Sequence, residues 1–269
     1  MSCRGIRLTC RIKVNEVSRY DKTEMGGSHV GFPTTHWSML AAVCGEMTDG
    51  HRSVLNLLIQ RYWKPVYYYI RRRGHSNEDA KDLVQEFFTS WLVKELFGRA
   101  DPTRGRFRSL LLSSLDNFIK NAHRANHAKR RRPPGGIIAL DALLGDAEMV
   151  FEPSDDETPE RAFNRTWVRE LLLRVLVVLE QEYHLAGKDQ EYELFRIRAV
   201  APALEGAESP PMVEIANELG LTQKQASNRL VTARRAYQRL LREEVRLFAS
   251  SDEDVAAEIR DLFEFLGRA

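Results

Sequence analysis

Residues 219–242 set out a row of side chains suited to nucleic acid. Lys224, Gln225, Ser227, Asn228 and Arg229 are donors and acceptors of the kind that read base edges, and Arg234 and Arg235 follow as cations for phosphates. No Asp or Glu occurs from Leu219 to Arg242, while Lys224, Arg229, Arg234, Arg235, Arg239 and Arg242 are basic. Such a row works only if a helix presents it. Ile215, Ala216 and Leu219 give an apolar face to a short helix, and Gly220 suits the left-handed residue that ends it. Thr222 can cap a second helix with Ala226, Leu230, Ala233 and Tyr237 on its inner face. Small Ala216 lets the two helices cross closely. The pattern is that of a helix-turn-helix with its second helix in a DNA groove; an ordinary packed helical pair is the alternative.

A second set lies upstream. In N-E-D-A-K-D-L-V-Q-E-F-F (77–88), Asp82, Gln85 and Glu86 fall on one helix face, away from the stripe Ala80, Leu83, Val84, Phe87, Phe88, Trp91 and Leu92. Taken alone, that face reads as a solvated one. Arg99–Arg132 then holds ten Arg or Lys, including Arg104, Arg106, Arg108, Lys120 and Arg124, against only Asp101 and Asp116. Pro133–Glu160 reverses the sign, with eight acids and no Arg or Lys. The first block implies contact with a polyanion, the second a solvated linker. The helix expected after residue 105 buries Phe107, Leu110, Leu111, Leu115, Phe118 and Ile119 by its period.

Other candidates lead to packing rather than chemistry. His123 and His127 have metal-compatible spacing but no supporting carboxylate or cysteine, so a polar helix face is the better reading. Trp63, Tyr67, Tyr68 and Tyr69 are spaced for a core. No phosphate loop, nucleophile elbow or pair of catalytic acids is found, so no cofactor, metal or enzymatic activity is expected. The net charge of +2 averages the opposed blocks and excludes nothing. Cys3, Cys10 and Cys44 form no zinc spacing or disulfide framework, which points to a reducing cytoplasm. No apolar run approaches the roughly 20 residues of a membrane span.

Helical periodicity dominates the 269 residues. Helices are expected at about 35–46, 51–73 (kinked or broken at Pro65), 76–97, 106–129, 160–184, 189–201 and 252–266, with a short amphipathic piece at 140–144. The fold class is all-α, with two helical domains joined by a flexible acidic linker. Residues 1–33 read as a disordered tail or as sequence before a later start, with Met25 a candidate. The first domain covers 34–130, the linker 131–159, the helix-turn-helix domain 160–248 and a helical extension 249–269. In that extension Val255, Ile259, Leu262, Phe263 and Leu266 form an apolar stripe, so Phe263 is expected to be buried.

The order of these strings resembles the sigma-70 family of bacterial RNA polymerase sigma factors, in the small two-domain extracytoplasmic-function type. The strings are D-L-V-Q-E, then F-x-x-x-D-P-x-R-G-x-F-R at 97–108, a basic-ended helix, a linker and a helix-turn-helix, over about 50–242. T-T-H-W-S-M-L (34–40), R-R-R-G-H-S (71–76) and E-I-R-D-L-F-E-F-L-G (258–267) are similar to a planctomycete-like subgroup. The resemblance implies that Asp82, Gln85 and Glu86 dock on the clamp coiled coil of the polymerase large subunit. It places the loop Asp101–Gly105, which includes Arg104, together with Phe107 at an extruded minus-10 base, and Arg106 and Arg108 on the minus-10 DNA. Asn117, Lys120, Asn121 and Arg124 would line the adjoining DNA. Thr222, Lys224, Gln225, Ser227, Asn228, Arg229, Arg234 and Arg235 would meet the minus-35 element.

Implied partners are core RNA polymerase, through clamp and flap, and promoter DNA, with room for an anti-sigma factor or other regulator and no membrane. Ser113 and Asp116 stand where related factors usually carry Arg, and Asn121 where Asp is common. Ala199–Pro211 lengthens the approach to the helix-turn-helix. A stand-alone regulator with a ligand-sensing or dimerising first domain is the runner-up, and a nucleic-acid enzyme the third reading.

Overall fold

A computed structural model describes residues 49–91, 107–125, 157–204, 206, 208–247, 249 and 251–267. Among them only helices, turns and irregular segments occur, so the fold is all-α. The expected helix at 35–46, the ends of those at 76–97 and 106–129, the piece at 140–144, the tail and most of the linker lie outside these residues.

Helix α1 (Asp49–Arg72) runs unbroken through Pro65, where the sequence suggested a kink or break. An interior proline costs about 3 kcal/mol by deleting one backbone bond and crowding the preceding turn. Burial of Ile59, Tyr62, Trp63, Val66, Tyr69 and Ile70 around it holds the helix together. Gly74, at φ 89°, turns the chain out of α1. Ser76 then caps α2 (Asn77–Glu86), accepting from the Asp79 amide at 3.1 Å and donating to its carboxylate at 2.7 Å. A π turn, Phe87–Trp91, continues α2. Phe87 and Phe88, consecutive in sequence, are both fully buried there, with Phe87 5.5 Å from Phe118. That Phe118 belongs to α3 (Phe107–Ala125), whose inner face is Phe107, Leu111, Leu115, Phe118 and Ile119.

Helix α4 (Pro159–Leu185) starts from Thr158, which accepts from the Arg161 amide, with Pro159 in the first turn where no amide is missed. Its apolar residues cover much of its circumference, from Phe163, Trp167 and Val168 to Leu171, Leu172, Val175 and Leu179. A helix apolar on so many sides must be covered on more than one. It accordingly packs along α1 on one side and against the helix-turn-helix on another, within one compact unit. Phe163 stacks on Tyr62 at 6.5 Å, and Lys64 pairs with Glu170 at 2.9 Å. The boundary drawn in the sequence at 131–159 is thus crossed by apolar packing.

Gly187 (φ 66°) leads into α5 (Asp189–Phe195). The single helix expected at 189–201 is instead α5, a π turn at Arg196–Val200 and the short α6 (Ala201–Leu204). Helices α7 (Met212–Glu218) and α8 (Gln223–Arg246) form the helix-turn-helix, and α9 (Asp252–Gly267) returns onto α8 and α4. Val255, Glu258 and Leu262 of α9 face inward. Phe263 is 57 % exposed, contrary to the expected stripe, because it lies one position, about 100° of helix, beyond Leu262. No helix among the described residues is long and apolar enough to cross a membrane.

Candidate nucleic-acid interface

The tight turn of the helix-turn-helix rests on Gly220 at φ 66° and on the Leu221 amide reaching back to the Ala216 carbonyl at 2.8 Å. This is the left-handed C-terminal cap, in which a Cβ would be strained. The next helix opens with a reciprocal cap. The Gln225 amide N–H donates to Thr222 Oγ1 at 3.3 Å, and the Thr222 amide donates to Gln225 Oε1 at 2.9 Å. Two backbone donors that helix geometry leaves unpaired are satisfied together. Ala226, Leu230 and Ala233 are buried against the rest of the fold. Tyr237 lies 5.4 Å from Phe195, and burial pushes its phenol pKa well up.

That inner face turns Thr222, Lys224, Gln225, Asn228, Arg234 and Arg235 to solvent, with Ser227 half-buried. Three of the expected contacts, Thr222 of the cap among them, also have duties within the fold. Gln225 contributes its side-chain oxygen to the cap, and Arg229 is half-buried against Glu191 of α5 at 3.4 Å. The second link was not legible in the sequence because the partners lie on separate helices.

On α2, Asp82 and Glu86 are exposed and Gln85 is half-buried, all opposite the buried Ala80 and Val84. The structure therefore brings the three together on one accessible face. Asn117, Lys120 and Asn121 share the exposed face of α3. Asp116, which departs from the family pattern, bonds Lys120 at 2.5 Å and also pairs with Arg73. The Lys120 hydrogen bond, reinforced by both cations, holds the Asp116 carboxyl below its usual pKa. Asp101, Arg104, Arg106 and the Arg124 side chain lie outside the described residues.

Phe107 is buried, as the helical period places it, so neither it nor Arg108 takes the place that the family resemblance implies. Phe107 is 2 % exposed and meets Tyr62 edge-on at 5.3 Å. Arg108 is 7 % exposed, its guanidinium 4.4 Å from the Trp167 ring and bonded to Asn164 at 3.1 Å. Glu258 and Asp261 of α9 complete its surroundings at 2.9 and 3.2 Å. In this packing neither side chain faces a solvent-exposed nucleic-acid surface. The physical reason is that α4 and α9 cover the start of α3.

Beside Arg108 a second ionic group closes the same interior. Glu244 of α8 accepts from Arg61 of α1 through Nε and Nη2 at 2.9–3.2 Å, and from Arg174 of α4 at 3.3 Å. Burial, with Arg61 nearby, lowers the pKa of Arg174. Burial likewise raises that of Tyr62. Between the two groups is a cavity of about 20 Å³, room for about one water. Neither group was found in the sequence, whose only signal was the acidic character of the last helix.

Residues 58–129 match the family model described as Sigma-70 region 2. No curated protein and no solved structure matched the chain. The matched segment begins inside α1, contains the Asp82, Gln85 and Glu86 face and ends beyond α3, and it supports a sigma-70 family sigma factor, acting in promoter recognition with RNA polymerase.

Proposed function

We propose that the chain is a cytoplasmic sigma factor of the extracytoplasmic-function type, in the planctomycete-like subgroup, with two functional regions at 34–130 and 160–248. Asp82, Gln85 and Glu86 dock on the clamp of core polymerase. The exposed face of α3, with Asn117, Lys120 and Asn121, follows the minus-10 DNA, joined by Arg124, the loop Asp101–Gly105 and Arg106. Lys224, Gln225, Ser227 and Asn228 read the minus-35 element from the amino end of α8, and Arg234 and Arg235 hold phosphates. The protein performs no bond chemistry; base extrusion costs only a few kcal/mol, which binding can supply without ATP.

One observation supports this reading most. The segment matched by the region 2 model shares a compact unit with a capped helix-turn-helix whose outer face is basic and exposed. Co-purification with core polymerase followed by run-off transcription tests it. Binding to core, and promoter-specific transcripts that need the chain, are expected. Replacing Asp82, Gln85 and Glu86 together by Ala should abolish core binding and leave the fold intact, since all three lie outside the buried core, where substitutions cost little stability. Tight operator binding without core, and no transcripts with it, would show a stand-alone regulator instead.

A further inference from the structure

Helix α9 makes one polar contact unlike the rest of its surface. Glu258 and Asp261, three residues apart and so on one face, converge on Arg108 at 2.9 and 3.2 Å. Trp167 and Asn164 of α4 hold the same guanidinium at 4.4 and 3.1 Å. The site is built for an anion: a planar cation, 7 % exposed, held by a ring and an amide, with two carboxylates in place. A phosphodiester offers a guanidinium the same paired oxygens as a carboxylate.

The helix that fills this site is strongly acidic. Asp252, Glu253, Asp254, Glu258, Asp261 and Glu264 face a single cation, Arg260, within Asp252–Gly267. The residue it covers opens α3 at the end of the basic run Arg99, Arg104, Arg106 and Arg108, and Asn117, Lys120 and Asn121 continue on the exposed face. The apolar anchors of α9 are Val255 and Leu262, both buried, and the half-buried Ile259, with Phe263 left in solvent. A helix this short is stable only while docked.

We propose that α9 is an internal competitor for nucleic-acid phosphate. Its Glu258 and Asp261 occupy Arg108 in the free chain and are displaced when nucleic acid binds along α3. The extension thereby lowers the affinity of the unengaged protein for nucleic acid. This inference rests on α3 being the nucleic-acid-facing helix of the proposed function.

The test compares the full chain with E258Q/D261N and with E253Q/D254N, which changes charge equally but away from Arg108. The probe is a labelled random 20-nucleotide DNA single strand, titrated across salt concentrations, with hydrogen exchange followed at residues 252–267. E258Q/D261N should show faster exchange there and several-fold tighter binding. Its gain should be largest at low salt, so its slope of log affinity against log salt should steepen, because the unaltered chain must first break an ion pair that salt itself weakens. The control should keep slow exchange and an unchanged slope, and saturating DNA should speed exchange of 252–267 in the unaltered chain. Unchanged exchange in the unaltered chain on saturation overturns the proposal, as does a loosened α9 with no change of slope. Run-off transcription judges the promoter reading separately. A chain inert there that shows the exchange and slope changes keeps the competitor, and an active chain without them loses it.

Discussion

Exchanging Glu244 for Gln tests whether the ionic group between α1, α4 and α8 holds these helices together. Glu244 accepts from Arg61 at 2.9, 3.0 and 3.2 Å and from Arg174 at 3.3 Å. The Glu244 and Arg61 side chains are only 19 % and 12 % exposed. Gln keeps the volume, so no cavity is opened, but it removes the charge and turns an amide donor toward two cations. Removing one partner of a buried ion pair costs about 3–5 kcal/mol. The residual solvent contact favours the lower end, about 3 kcal/mol. In a unit of this size each kcal/mol moves the melting temperature by about 2–4 °C, so a fall of about 6–12 °C is expected. Circular dichroism melts of the full chain at pH 7 measure it. Because both changes strike one group, R61Q added to E244Q should cost much less than the sum of the singles. A loss under about 1 kcal/mol would refute the reasoning and class the group with solvated surface pairs.

Gln225 serves both as cap and as proposed base reader, and two substitutions separate the roles. Q225E keeps the capping box, whereas Q225A should destabilise by about 1 kcal/mol. Both should change the sequence preferred in a selection over randomised minus-35 elements; an unchanged preference in both leaves Gln225 a cap alone. Leu262→Ala empties a fully buried position of α9 and should cost about 2–5 kcal/mol in a denaturant melt. A change near zero would mean that α9 is not docked in solution. The lowered pKa of Asp116 means that its stabilisation is present above the ordinary carboxylate range and lost as pH falls through its folded value. D116N should therefore flatten the fall in stability below about pH 4, and an identical acid limb in the variant would show that the pairs with Lys120 and Arg73 add nothing.

Much of the local structure was legible in the sequence. Thr222 and Gly220 mark helix ends because their interactions span only a few residues of one chain segment. The faces carrying Asp82 and Glu86, Asn117 and Lys120, or Asn228 and Arg235 follow from the helical period once the apolar residues are placed inward. Consecutive Phe87 and Phe88 both lie on the stripe that the period turns inward and both are buried, whereas the π turn that carries them had no signal in the sequence.

Only the tertiary structure decided which cations remain available. Arg108 belongs to the same basic block as Lys120, yet one is enclosed and the other 63 % exposed. The partners that enclose Arg108 stand 56 and 153 residues away, and Arg61 meets Glu244 across 183. Arg229 shares its helix with Arg235 but is drawn to Glu191 on α5. Burial of a charge depends on which helix crosses above it and on whether a carboxylate arrives with that helix. No spacing along the chain encodes that meeting, because it is fixed by how the broad apolar surface of α4 packs between α1 and α8.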